Sequence, residues 1–511
     1  MVSIPLCYYG AVVTALVRIL YRVITLLCHF VDLFAWNILK DSLSVGIYRR
    51  FFHRLRHFPG PFGASLTKFW AFYQVTKGNY FKTVADLHRE HGDFVRVGPR
   101  ELDVCNLSAV NTVFGSTSPC LKGAWYDGTH MGDPSTAHVQ LEKTHEGHGW
   151  KRRIWDVALA SKSLRDYEPR VLRYVDKLLD AVKRESQKND GVVDMGLYFS
   201  FFTFDVMGDL AFGESFHMLE DGKTHDYMKI VQGYAVANAL ICTIPWIASI
   251  FPWLPKLEAV ESLYRFARKR VIDRLPFGEK PTDVFSYLLR EDRVTKQKYT
   301  QKQLDVECVA LIIGGSDTTS SSLASISYFL MTHPEKLDKL KAEIHAYDGP
   351  LDHANLAKFP YLNAVIKESL RLLPPIRSGM MHRVTPPEGI TIEGTFIPGN
   401  VNIGIGSYEV QHDPRYWGKP DDFIPERWLG EGPEPCDRNA YLVFSYGPFS
   451  CVGKHLAYME LCNVVAAFIR AFDMELDPKY DVSSYIPSLK DAVISSRAYL
   501  PVVLKPREQK A

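Results

Sequence analysis

Apolar residues recur at helical spacing through most of the chain from His148 to Leu373 and again from Lys454 to Phe472. They alternate in short runs at Phe94–Val97, Leu102–Val104 and between Arg383 and Ile403. This pattern predicts a mainly α protein with smaller β-sheets, an α+β fold. Helices are expected over His148–Leu159, over Asp205–Phe212 with Gly213 as its stop, over Gln303–Leu330, and around Lys367–Arg371 before Pro374 and Pro375. Between Cys120 and His148 the periodicity fails and Gly, His, Asp and Ser accumulate, so a long loop is expected there. Gly233 to Pro255 is unusually apolar, with Trp246, Phe251 and Trp253 among prolines. Core, membrane contact and pocket lid all suit that composition, and a lid touching a membrane suits it best. The last forty or so residues read as short strands.

The N-terminal stretch follows a different pattern. From Ile4 to Leu39 the only formal charges are Arg18, Arg22 and Asp32, and each uncharged half is near the roughly 17-residue minimum for crossing a bilayer. A membrane segment of one or two passes is expected. A cleaved secretory signal fits less well, because no basic region precedes the run and no small-residue cleavage site ends it. Lys40, Arg49, Arg50, Arg54 and Arg56 follow, and basic residues beside a span stay on the cytoplasmic side. The large domain is therefore expected to face the cytosol, where the sequon at Asn106 meets no glycosylation machinery. Pro59-Gly60-Pro61 marks the boundary between an anchor with its basic linker, residues 1–58, and one large domain, residues 59–511.

Composition narrows the classes. Of 511 residues, 46% are apolar and 23% charged, ordinary values that allow a large core and exclude general disorder. A net charge of +2, with no basic run interleaved with aromatics, gives no case for nucleic acid. Nine cysteines without a C-x-x-C pair argue against zinc, iron–sulfur clusters and a disulfide framework, and suit a reducing compartment.

The chemistry is concentrated in a few stretches. Phe444 to Gly453 describes a tight loop carrying Cys451, with Gly447 four residues before it and Gly453 two after. A helix follows at once, and a helix N-terminus favours a thiolate, so the loop suits a metal-bound sulfur; a small buried hydrophobe is the plainer alternative. His148 and Arg152 share a helix face and either hold an anionic group or form a solvated basic face. Gly314-Gly315-Ser316-Asp317-Thr318-Thr319 interrupts an apolar helix at a cost of about 1 kcal/mol for each glycine. There the Thr318 hydroxyl can bond back to the Gly314 carbonyl and open a groove for a small molecule, or the glycines serve packing alone. Glu368, Arg371 and Arg427 are placed to form a buried charge network.

In order and spacing these pieces resemble the cytochrome P-450 superfamily, from about Pro59 to the end. The motifs are Gly315 to Thr318, Glu368 to Arg371, Pro425 to Trp428 and Phe444 to Gly453. The resemblance implies a P-450 fold with haem b (iron protoporphyrin IX) between the long central helix and the cysteine loop. Cys451 is then the thiolate ligand, which pushes electron density to iron and favours O–O cleavage; Phe444 packs under the sulfur. His148, Arg152 and Arg383 match propionate-binding positions. Asp317 and Thr318 match the acid and alcohol pair that holds dioxygen and relays protons to it. Glu368, Arg371 and Arg427 match a structural triad. One position departs: the family usually has Arg or His two residues before the cysteine, and here it is Phe449. The implied activity is a monooxygenase inserting one oxygen atom from O2 into a hydrophobic small molecule. Electrons come from NADPH through NADPH-cytochrome P-450 reductase, at the endoplasmic reticulum membrane with a cytosolic catalytic domain. Phrases such as Asp205 to Gly213 are similar to fungal microsomal members that tailor terpenoids, alkaloids or polyketides. A haem-thiolate isomerase or dehydratase, and a non-catalytic membrane-anchored binding protein, are the alternatives. The implied pocket includes Arg377, a cation that could meet a carboxylated substrate, a propionate or solvent.

Overall fold

The helices that build the site are α1 (His145–Ala158), α2 (Ser161–Lys188), α3 (Met195–Phe212), α4 (Asp226–Thr243), α5 (Glu258–Arg274), α6 (Gln301–Thr332), α7 (Pro360–Leu372) and α8 (Lys454–Ala471). They are seen in a computed structural model, which describes residue 36 and residues 39–129, 134–249, 258–279, 283–495 and 497–507. Every residue of α3 except Leu197 is buried, as a helix apolar all round must be. Its two acids are satisfied rather than exposed: Asp205 accepts from the backbone N–H groups of Met218 and Leu219, and Asp209 takes a bidentate pair from Arg170. α6 lies along α3, started by a capping box between Thr300 and Gln303. Gly315 sits at their crossing, where a Cβ would come within 2.2 Å of Met207 Sδ. The Met207 side chain would have to move to admit any side chain there.

A five-stranded sheet stands beside the helices. It consists of β1 (Phe94–Gly98), β2 (Glu101–Val104), β3 (Leu121–Lys122), β4 (Arg383–Val384) and β5 (Asn402–Gly404), in spatial order β1-β2-β5-β4-β3. The β2–β5 pair is parallel and the others antiparallel. Three further small sheets, among them one joining Val192–Asp194, Phe472–Leu476 and Pro501–Pro506, complete the β content among the described residues, so the mainly helical expectation holds.

The described residues between Cys120 and His148 are more ordered than a loop. They hold β3, a helix at Trp125–Thr129 and a 3-10 turn at Pro134–Thr136, and α1 begins at His145, where Thr144 accepts from the Gly147 N–H at 3.1 Å. These elements are too short to leave a period in the sequence. Asn106 also gains a physical role: it is buried, caps the helix Leu107–Phe114, and its amide donates to Asp93 and Glu393. A glycan has no room on it.

Among the described residues no helix is long and apolar enough to cross a membrane. The membrane segment expected over Ile4–Leu39 lies, apart from Trp36 and Leu39, outside them, as do Phe251 and Trp253. The basic segment that follows already packs on the domain before Pro59, since Leu55 is in the core and Arg96 donates to the Arg49 carbonyl at 3.0 Å.

Candidate active site

The cysteine loop is shaped by two backbone features. Gly447 has φ +71°, and a Cβ on it would lie 1.9 Å from the Phe114 carbonyl oxygen, so only glycine lets the loop come this close to its neighbour. The Cys451 N–H donates to Phe444 O at 2.9 Å and closes the turn. The thiol lies deep in the protein yet is open to an internal cavity. Burial holds it above the ordinary thiol range, opposed by the N–H groups of Gly453 and Lys454 at the start of α8 and by Arg152. The N–H groups at the start of α8 thus favour the thiolate, as expected, and burial outweighs them. Phe444 also borders the cavity, with its ring 5.3 Å from that of Tyr458.

That cavity, of about 390 Å³, runs from the cysteine loop to α6 and on beneath α4. On α6 its wall is made by Val309, Ala310, Ile313, Gly314, Gly315 and Thr318. A Cβ on Gly314 would meet nothing within 4 Å, so this glycine leaves the wall flat over the sulfur's chamber. Thr318 Oγ1 donates to the Gly314 carbonyl at 2.7 Å, as its position predicts. With its proton committed, its lone pairs are left to accept from a donor in the cavity. Asp317 is not on that wall. Burial alone pushes its carboxyl up to about 7, so the acid and the alcohol, adjacent in sequence, face different surroundings.

The three expected anion-binding residues all border the cavity at one end. His148 is buried and held down to about 3 by burial and by Lys122, so it is neutral. Its ring lies 4.4 Å from that of Phe449. Arg152 is largely engaged already, with Asp156 at 2.7 Å and the carbonyls of Ser450 and Pro448 at 2.5 and 3.3 Å. Arg383 bonds the Tyr126 hydroxyl at 2.8 Å, but its buried Nε has no partner. Arg377 is not at this site: it is buried over the Phe81 ring at 4.9 Å and donates to Pro374 O, so none of its expected roles fits.

Three further residues escaped the sequence reading. Lys122 borders the cavity from a two-residue strand that no motif marks. Glu460 lies on the buried face of α8, its Oε1 without a partner and its carboxyl pushed up to about 8 by burial. A charge amid Met459, Leu461 and Cys462 was the clue. Glu307 on α6 accepts from the Val139 N–H at 2.9 Å and from Trp155 Nε1 at 3.0 Å, pinning the segment that covers the cavity. Burial pushes Glu307 up from 4.5 to about 7. The folded state then keeps a proton that the unfolded chain releases, so stability declines as pH rises between those values, by up to about 3 kcal/mol. Glu307→Gln is expected to flatten that decline, measured as a smaller difference in urea midpoint between about pH 5 and about pH 7.5.

A cavity with a thiol beneath, a hydroxyl-bearing helix above and cations at one end defines a class: an enzyme holding a flat, acidic, metal-bearing group. The family profile described as Cytochrome P450 matches residues 59–499. The chain belongs to the cytochrome P450 family and is a monooxygenase with a haem-thiolate cofactor. It is 36% identical over 474 residues to cytochrome P450 monooxygenase FCK2 of Fusarium pseudograminearum, covering 91% of this chain and 84% of the relative. With tryprostatin B 6-hydroxylase of Aspergillus fumigatus it shares 32% over 470 residues, 91% of this chain and 83% of the relative. Cytochrome P450 monooxygenase phqL of Penicillium fellutanum is 33% identical over 475 residues, 91% of this chain and 82% of that one. The residues fit the cofactor, since the open thiol, the bare face of Gly314 and the orphaned Arg383 Nε supply a ligand, a flat wall and an anion donor around one cavity.

Proposed function

We propose that the protein is a tailoring hydroxylase of fungal secondary metabolism that oxidises a neutral, largely apolar small molecule. The observation that carries this reading is the shared cavity of Cys451 and Thr318, whose far end is walled by Trp125, Tyr234, Val309, Ile313, Met381 and Ile494. Such a chamber, with no charged side chain among those six and a few hydroxyl and amide groups from Thr129, Asn238 and Tyr264, suits an aromatic or multi-ring substrate. The similarity to tryprostatin B 6-hydroxylase supports the same class. Haem b is the cofactor, ligated by Cys451 with Phe444 beneath it, its propionates held by His148, Arg152 and Arg383. Thr318 positions the proton donor for the reacting oxygen, and Asp317, out of the cavity, feeds protons from behind the helix.

Electrons come from NADPH through NADPH-cytochrome P-450 reductase. The protein sits at the endoplasmic reticulum membrane through residues 1–58, with residues 59–511 in the cytosol. Exposed Phe51, Phe52, Phe62, Phe69 and Tyr73, beside Arg50 and Arg54, support that placement, because aromatic and basic residues collect where a protein meets an anionic lipid surface. The test is twofold. The reduced protein with carbon monoxide should show the red-shifted Soret band of thiolate-ligated haem, and deleting the gene should accumulate an apolar metabolite lacking one hydroxyl. Accumulation of a charged precursor would contradict the substrate class. Thr318→Ala is expected to keep that band and raise peroxide released per NADPH severalfold, measured by a peroxidase-coupled assay; unchanged coupling would remove Thr318 from the proton path.

A further inference from the structure

Lys122 and Arg383 are directly opposite each other across the antiparallel pair β3–β4. Like charges facing one another across a ladder repel. Both side chains are buried, at 3% and 4% exposure. Neither forms an ion pair with a carboxylate among the described residues: Lys122 Nζ donates to Gln140 O at 2.5 Å, and Arg383 reaches the Tyr126 hydroxyl and, at 3.5 Å, Met381 O. Burial first, and Arg383 second, hold the Lys122 ammonium well below its ordinary range. Lys122 keeps its charge beside Arg383 at such depth when an anion lies between the two.

Phe449 is the surface on which they meet. Lys122 Nζ is 4.4 Å and Arg383 Cζ 5.2 Å from its ring centroid, distances at which an aromatic face attracts a cation. An arginine or histidine at position 449 would add a charge to this corner. The phenyl ring instead braces two charges that arrive from the sheet. Arg152, meanwhile, is occupied by Asp156 and the loop carbonyls.

We propose that Lys122 takes over the propionate-binding task of the residue usual at position 449, so that a Lys122–Arg383 clamp resting on Phe449 holds the acidic edge of the haem. This rests on the reading of the cofactor as haem b, whose edge carries two carboxylates. The clamp also ties that edge to the substrate chamber, because Lys122 Nζ is bonded to Gln140, and Val139, Gln140 and Leu141 line the same cavity.

The experiment is haem release from the holoenzyme, followed spectroscopically as transfer to apomyoglobin. Lys122→Met should release haem about tenfold faster than the native protein, the scale of one lost charge-assisted hydrogen bond, and Lys122→Arg should restore the native rate. Adding Phe449→Arg to Lys122→Met should slow release again. With haem dimethyl ester, loaded in a haem-deficient host, the native protein and Lys122→Met should release at the same rate, because the anion is gone. A difference that survives esterification would show a merely structural effect and overturn the proposal, as would native-like release by Lys122→Met. Lys122→Gln, which keeps a donor for Gln140 O, makes the same comparison if the methionine variant does not accumulate. The outcomes separate from the cofactor reading: a native protein without the red-shifted Soret band refutes the haem-thiolate site, whereas a normal band with equal release rates refutes the clamp alone.

Discussion

Glu368→Ala is expected to abolish accumulation of folded protein. Glu368 is fully buried and accepts five hydrogen bonds: two from Arg371, and one each from Arg427, Trp428 Nε1 and the Ile424 N–H. Arg371 and Arg427 are just as deep, and their other N–H groups donate to carbonyls of Gln411, Pro420, Asp422, Gly418 and Lys419. One carboxylate thus holds two guanidinium groups, and they in turn hold the segment that leads from α7 to the cysteine loop. Removing the carboxylate leaves two buried positive charges, a loss of at least about 3–5 kcal/mol. Total stability of a domain is about 5–15 kcal/mol, so this single change consumes a large share of it. The measurement is soluble yield together with haem content. Glu368→Gln should fare little better, because an amide keeps one oxygen but supplies no charge and adds two donors where only donors point. A soluble, haem-loaded Glu368→Ala protein would show that the triad is dispensable.

Cys451→Ala makes the opposite combination of outcomes. Its sulfur faces the cavity and not the core, so truncation removes little packing, and the Cys451 N–H to Phe444 O bond that closes the loop is backbone and survives. The variant should therefore accumulate as folded protein. What it lacks is the thiolate, and with it the red-shifted Soret band of the reduced carbon monoxide complex and the electronic push on which oxygen activation depends. Turnover is expected to fall by at least about 10³-fold, to background. If the band persisted in Cys451→Ala, another sulfur would have to be the ligand; Cys462, the nearest cysteine in sequence, is fully buried on α8.

These two residues were legible in the chain because their partners are local or sit at fixed motif spacing. Glu368 and Arg371 are one helical turn apart, and Gly447 and Gly453 bracket Cys451, so spacing alone implies contact. α6 was likewise visible, to within two residues at each end, from its long apolar period. Other parts were not. Asp317 and Thr318 are neighbours, yet successive residues on a helix point about 100° apart, and which one faces the cavity depends on how α6 is rotated against α3. That rotation follows from the packing of α6 on α3, for instance of Gly315 against Met207, more than a hundred residues away. The order within Cys120–His148 was hidden because its elements are shorter than any period that could reveal them. Glu307 gave no motif, since its donors, Val139 N–H and Trp155, come from distant parts of the chain.

The fold class, the thiol on the cavity wall, the hydroxyl-bearing helix and the buried charge triad are written in the chain, because each depends on residues at short or fixed spacing. The tertiary structure alone decided what surrounds that thiol. It put Lys122 opposite Arg383 through a strand pairing between residues 261 positions apart. It set both on the ring of Phe449, and moved Arg377 and Asp317 off the cavity wall. The physical reason is that which face a residue presents follows from how elements pack on one another, and packing joins positions whose separation along the chain carries no period to read.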